Sequence, residues 1–303
     1  MTEREPGTPE DANRLRRMDR FGRMGFLAAT RAFAASGAAR PSGLGARGGV
    51  VVGTRHGCRS AIAEHAARLA AAARVEDLAP SVFVATVHNT VNGELAMALG
   101  LGGVSETIVS GRTAGLEALI LGARRVAAGD ADLVLAVAAE GVDAAMREAW
   151  EEERLALGPR AEGVELVETG AAVVLEASEI FSKQEGRARF LEGCLFFEPE
   201  ARRASARFFE WMKEVEARAG GNARPAAVSL CVPDYEDFLE GGRREGPRVE
   251  RFGAAGMFEI ARDVARIARA APSPHSPSKK IHVYITRDVT GAVAAVALES
   301  SSF

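Results

Sequence analysis

Cysteine is scarce in this chain. There are three in 303 residues (Cys58, Cys194 and Cys231), an odd number at wide spacing. That excludes a secreted disulfide framework and predicts a reducing, cytoplasmic setting. A basic excess is also missing: Lys and Arg number 38 against 41 Asp and Glu, a formal net charge of −3. Nucleic-acid binders normally carry an excess of positive charge, so no nucleic-acid partner is expected. Long apolar runs are absent too. The most apolar stretches, such as 133–139, fall far short of the roughly 18 residues that a membrane span needs. The opening MTEREPGTPEDANRLRRMDR is polar, with no apolar block after a basic start, and does not read as a signal peptide. No G-x-x-x-x-G-K-[ST], no helix-opening G-x-G-x-x-G and no G-x-S-x-G occurs. Of five histidines only His56 lies beside a cysteine, in His56-Gly57-Cys58, and no second pair stands at ligand spacing. That trio reads as a polar loop, and neither a metal nor a cofactor is expected. Aromatics are only 6%, while hydrophobic residues reach 47%, enough for a core without staples.

What is present alternates. Residues 1–13 carry Pro, Gly, Glu and Thr without periodicity and read as a flexible lead. Helical spacing of Met18, Phe21, Met24, Phe26, Leu27 and Ala29 predicts a helix over about 14–35, stopped by Gly37. Residues 49–53 (GVVVG) suit a strand buried on both faces. Helices are then predicted over 59–74, 92–99, 113–128 and 142–156. Strands are predicted over 107–109, 131–138 and 171–175, with 105–109 expected to be buried. Glu151 to Glu153 read as a solvated helix face. The second half continues with strands over 189–197, 226–232, 281–285 and 291–298, and helices over 201–219 and 254–270. Such alternation predicts an α/β protein with helices packed on sheets.

The segment Val87 to Glu140 is the most informative. It reads helix, Gly turn, strand, tight turn at Ser110-Gly111, long helix, Gly129-Asp130 turn and buried strand. With Asn92-Gly93, Gly102-Gly103 and Gly129-Asp130-Ala131-Asp132 it resembles the core of β-ketoacyl synthases, in the thiolase superfamily. Arg17-Met18-Asp19-Arg20-Phe21 resembles that family's early helix. GAAVVLE at 170–176 resembles the strand closing its N-terminal half, and GAAGMFE at 253–259 its second-half Gly turn. The resemblance implies a thiolase-like fold of two related βα halves in a layered α-β-α-β-α architecture. It also implies an N-terminal shortening that leaves one core strand missing or differently supplied. The implied organisation is a lead over 1–13, a first half over 14–178 and a second over 179–303.

The resemblance also implies where chemistry would sit. Counted back from Gly129, the family's nucleophilic cysteine falls at Arg112. Its first histidine motif is replaced by Cys231-Val232-Pro233-Asp234-Tyr235. Of its second, only His282 is a survivor. Arginine stays protonated and cannot carry an acyl group, so condensation is expected to be absent. Ser110 and Thr113 are weak substitute nucleophiles. Asn92, Arg112 and Phe252 are candidate contacts for an acyl chain or carrier. The implied function is a non-catalytic, chain-length-factor-type subunit of a fatty-acid, polyketide or polyene pathway. It would form a heterodimer with an active ketosynthase, or a homodimer, and an acyl carrier protein is a further partner. The alternative is a divergent acyltransferase or acyl-binding homodimer using other groups among His56, Cys58, His88 and His282.

Overall fold

The computed structural model describes residues 9–37, 44–74, 83–157, 164–177, 188–197, 200–218, 225–230, 249–250, 257, 260–262, 279–287 and 292–301. Chain order begins α1 (Pro9–Arg17), α2 (Arg20–Ser36), β1 (Gly48–Thr54), α3 (Arg59–Ala71), α4 (Thr90–Leu99), β2 (Ser105–Val109) and α5 (Ala114–Ala127). It continues with β3 (Leu133–Glu140), α6 (Ala144–Leu157), β4 (Glu165–Leu166), β5 (Thr169–Glu176), β6 (Ala188–Phe197) and α7 (Ala201–Arg218). The last strands are β7 (Pro225–Leu230), β8 (Val249–Glu250), β9 (Lys279–Arg287) and β10 (Ala292–Ser301). The expected helix over 254–270 lies mostly outside the described residues, as do the loops at 220–221, 241–242 and 272–277.

Two four-stranded sheets form the frame, in the orders β2-β1-β3-β5 and β6-β10-β9-β7. In the first, β1 runs parallel to β2 and β3, and β5 closes antiparallel on β3. All seven residues of β1 and all eight of β3 are buried, as expected for strands covered on both faces. Each fully buried Val or Leu side chain there contributes about 1.5–3 kcal/mol relative to exposure. α2 and α4 cover one face of the first sheet. Phe21, Phe26 and Ala29 of α2 pack with Val91 and Leu95 of α4 on Val50, Val52, Leu135 and Val137. α5 lies on the other face, with Leu116, Leu119 and Ile120 reaching Tyr284, Ala294 and Val296 of the second sheet. α7 covers the far side through Phe208, Trp211 and Val215 on Val283, Ile285 and Val293. The order is helix, sheet, helix, sheet, helix, the five-layered arrangement expected.

Three local readings needed correction. The lead is shorter than 1–13, because α1 is helical from Pro9. The helix expected over 14–35 is broken at Met18-Asp19, where Asp19 turns extended and accepts the Gly22 N–H at 2.7 Å, capping α2. Such a cap stabilises by about 1 kcal/mol. The strand at 105–109 is not buried. β2 is an edge strand, exposed at Ser105 and at Val109. β1 pairs continuously with β3 from Gly48–Leu133 to Gly53–Ala138, and the first sheet has four strands among the described residues.

Gly53 explains how α5 comes so close to the sheet. A Cβ there would lie 2.1 Å from the Ala114 carbonyl oxygen, so only glycine lets the head of α5 rest on β1.

Candidate functional site

The parallel strands β1, β2 and β3 end at one edge of the first sheet, and their following loops meet there. Ligands of open α/β sheets bind at such carboxyl ends. Thr54, last residue of β1 and fully buried, is the junction. Its Oγ1 donates to Glu140 Oε1 at 3.1 Å and accepts the Gly57 N–H at 2.8 Å. Its carbonyl accepts the Ser110 N–H at 3.2 Å. Glu140, the buried end of β3, also accepts the Arg55 and His56 N–H groups, with His56 Nδ1 at 3.4 Å. One carboxylate therefore ties the 55–57 loop to β3.

Arg112 lies in the turn between β2 and α5, with only 2% of its side chain exposed. A guanidinium in such a place needs a partner, since an unpaired buried charge is expensive. Glu153 of α6 supplies it, Oε1 to Nη2 at 2.8 Å, and also holds Arg55 at 2.9 Å through Oε2. Burial pushes the Glu153 carboxyl up, but Arg112 and then Arg55 outweigh it and hold the group below the usual carboxylate range. The expectation of a solvated face fails for Glu153, which points inward, while Glu151 stays outside on Arg154. The missed signal is the lone carboxylate of this run that faces the buried side of α6, which carries Met146 and Trp150.

The other sequence candidates fall into three groups. Ser110 and Thr113 both donate to Glu117 Oε1, the former at 3.0 Å. Glu117 escaped notice in the sequence, although it stands four residues after Thr113, one helical turn away. Asn92 has no free polar atom. Its Nδ2 donates to the Glu106 carbonyl at 2.8 Å and the Val50 carbonyl at 3.3 Å, and its Oδ1 accepts the Thr107 hydroxyl at 2.7 Å. It braces β1 to β2 rather than facing a ligand. His282 lies in β9 of the second sheet, between Ala227 and Leu298. Phe252 and Cys231 lie outside the described residues.

Cys58 and His88, 30 residues apart, come together. Cys58 heads α3 with its Sγ 3.3 Å from His88 Nδ1, which also receives the Cys58 N–H at 3.4 Å. That N–H marks Nδ1 as an acceptor, so the thiol is the donor. Gly57 makes the approach possible. Its φ is +56°, and a Cβ there would meet His88 Nδ1 at 2.2 Å. Burial, reinforced by the Asp19 charge, pushes the Cys58 thiol up to about 11, so it is protonated at neutral pH. Among the described residues no group of three or more His, Cys, Asp or Glu side chains is placed to hold a metal. No helix among them is long and apolar enough to cross a membrane.

Residues 6–179 match the model of the β-ketoacyl synthase N-terminal domain, and the chain belongs to that family. Its fold is similar to that of the ishigamide ketosynthase/chain length factor, with a TM-score of 0.76 at 20% identity over 97% of this chain and 85% of that one. A type II polyketide synthase complex of acyl carrier protein and ketosynthase bound to a hexaketide, AntDE:AntF, aligns at TM-score 0.72 and 15% identity. That alignment covers 98% of this chain and 85% of the other. A β-ketoacyl synthase from Burkholderia phymatum aligns at 0.71 and 15% identity, over 98% and 86%. Among curated proteins none is similar enough to match.

Proposed function

We propose that the chain is a non-catalytic ketosynthase-like subunit of a polyketide, polyene or fatty-acid pathway, pairing with an active ketosynthase in the manner of a chain length factor. The observation that carries this reading is the Arg112–Glu153 pair. By the family resemblance Arg112 stands where a nucleophilic cysteine belongs. A guanidinium buried there and neutralised by a carboxylate offers no thiolate to carry an acyl group. Cys58, the one buried thiol near this edge among the described residues, is held protonated and packed under His88.

Two features support pairing. Among the described residues β2 is an edge strand, the kind that invites another chain. Beside it Val109 is 47% exposed and Met97 of α4 is 63% exposed, large apolar side chains that a partner would remove from water. An acyl carrier protein completes the proposed assembly, and the setting is the cytoplasm.

The test is affinity purification of the tagged chain from its own cells with quantitative mass spectrometry. A cysteine-bearing ketosynthase at near-equal amount supports the reading. Recovery of the chain alone, or with a carrier protein only, overturns the pairing with a ketosynthase. An acyl adduct on the chain after incubation with a carrier-bound thioester overturns its non-catalytic character.

A further inference from the structure

The two large sheets match each other strand by strand. β1 runs parallel to β3 and β3 antiparallel to β5, just as β7 runs parallel to β9 and β9 antiparallel to β10. The corresponding last strands are alike in sequence too. Residues 171–176 of β5 read AAVVLE and residues 294–299 of β10 read AAVALE, a difference of one residue. The second sheet then has one strand without a counterpart among the described residues of the first. β6 runs antiparallel along the outer edge of β10, and no described strand does so along β5.

β5 has the character of an interior strand. Residues 170–175 hold neither charge nor proline, the devices that keep an edge from pairing. Other edges differ: β2 carries Glu106 and Thr107, and β6 carries Arg189 and Glu192. Helices flank β5 on both faces. A Cβ at Gly170 would lie 2.3 Å from the Met24 carbonyl oxygen of α2, and a Cβ at Gly122 of α5 would meet Leu175 at 2.9 Å. What stays open is the edge between them. Residues 294–298 of β10, beside β6, are 6% exposed or less, whereas Val173 to Glu176 of β5 are only half-buried.

We infer that the outer edge of β5 is a docking surface for a single extended strand of a partner polypeptide, added antiparallel to β5. β6 specifies the chemistry of that strand. It is apolar on both faces, with Phe190 packed toward the α5 layer and Leu191 and Phe196 toward α7. In register Arg189 stands opposite Glu299, the counterpart of Glu176, so the docked strand carries a basic residue at that position. A second copy of this chain is the poorer occupant. It would bring the helices that cover its own β5 against α2 and α5, which already flank the slot. The inference does not rest on pairing with a ketosynthase, because β5 and β2 lie at opposite ends of the first sheet, so either fails without the other.

The experiment uses the full chain and a synthetic peptide with the sequence of residues 188–197 carrying Cys194→Ser, beside its fully N-methylated counterpart, which keeps the side chains and loses every backbone donor. Amide hydrogen exchange is read residue by residue, and light scattering gives the oligomeric state. The amides of 170–176 that point away from β3 exchange freely in the chain alone and slow about ten-fold or more with the unmodified peptide. The N-methylated peptide changes nothing, and neither peptide protects 105–109. Equal protection by both peptides, protection of 105–109 in place of 170–176, or no protection at all overturns the inference. So does protection of the outward amides of 170–176 in the peptide-free chain, whether light scattering then finds a monomer or a dimer.

Discussion

Arg112 and Glu153 meet at 2.8 Å across 41 residues of sequence, joining the turn before α5 to the buried face of α6. Arg55 reaches the same carboxylate from the loop after β1. One acid therefore holds two arginines, and two loops of the first half close on α6. The arrangement fills the carboxyl edge of the first sheet with a paired set of charges.

Removing the shared acid leaves both guanidinium groups without it. Glu153→Gln is expected to cost about 3–5 kcal/mol, the range for breaking a buried pair by deleting one partner. The double variant Arg112→Met/Glu153→Leu recovers part of that loss, since the buried Arg112 charge goes with its partner and only the more exposed Arg55 is left without the carboxylate. Urea denaturation of the three proteins checks this. A single variant as stable as wild type would show that the pair is idle.

Asp19 predicts a definite pH trend. Its folded value of about 6 lies above its ordinary value of 3.8, so the folded protein binds the extra proton in that window. Asp19 accordingly favours unfolding as pH rises from about 4 through 6. Glu153 and Glu168 are shifted the other way. Their contributions are present above the ordinary carboxylate range and fade as pH falls. Asp19→Asn keeps a good cap and removes only the first term. Its stability advantage over wild type is expected to grow from pH 4 to pH 7, read from urea midpoints.

Cys58 is expected to resist thiol reagents. It is 1% exposed and its thiol is held up at about 11. Iodoacetamide at pH 7.5 should leave it unmodified in the folded chain and label it in urea, as peptide mass spectrometry will show. Gly57→Ala, which places a methyl on the imidazole at a strained φ, should make Cys58 label without denaturant.

Val109 tests the open edge. A charge at the end of β2 opposes burial in an interface, so Val109→Lys should reduce recovery of any ketosynthase partner several-fold while leaving the melting temperature nearly unchanged. Unaltered recovery would move the interface away from β2.

Much of the architecture was legible in the sequence, because it rests on short-range pattern. Continuous apolar runs announced β1 and β3, helical periodicity announced α2 and α5, and the glycine turns around Gly102 and Gly129 fixed their order. Together with Asn92 they carried the family resemblance that the match over 6–179 bears out. Periodicity could not see the break at Asp19, since the apolar spacing runs on from Met18 to Phe21. Nor could it reveal that β2 is an edge, which depends on strands far away in sequence.

The site divides in the same way. Residue identity alone determined that Arg112, with no thiol and no loss of its proton, sits in the turn that opens α5. Tertiary structure alone decided its partner, drawing Glu153 inward from a run of three glutamates, bringing His88 onto Cys58 and consuming Asn92 in bracing two strands. The reason is physical. Helix and strand periods act over a few residues and are written locally, whereas a buried charge or hydrogen-bonding group is satisfied by whatever the packed chain brings within about 3 Å.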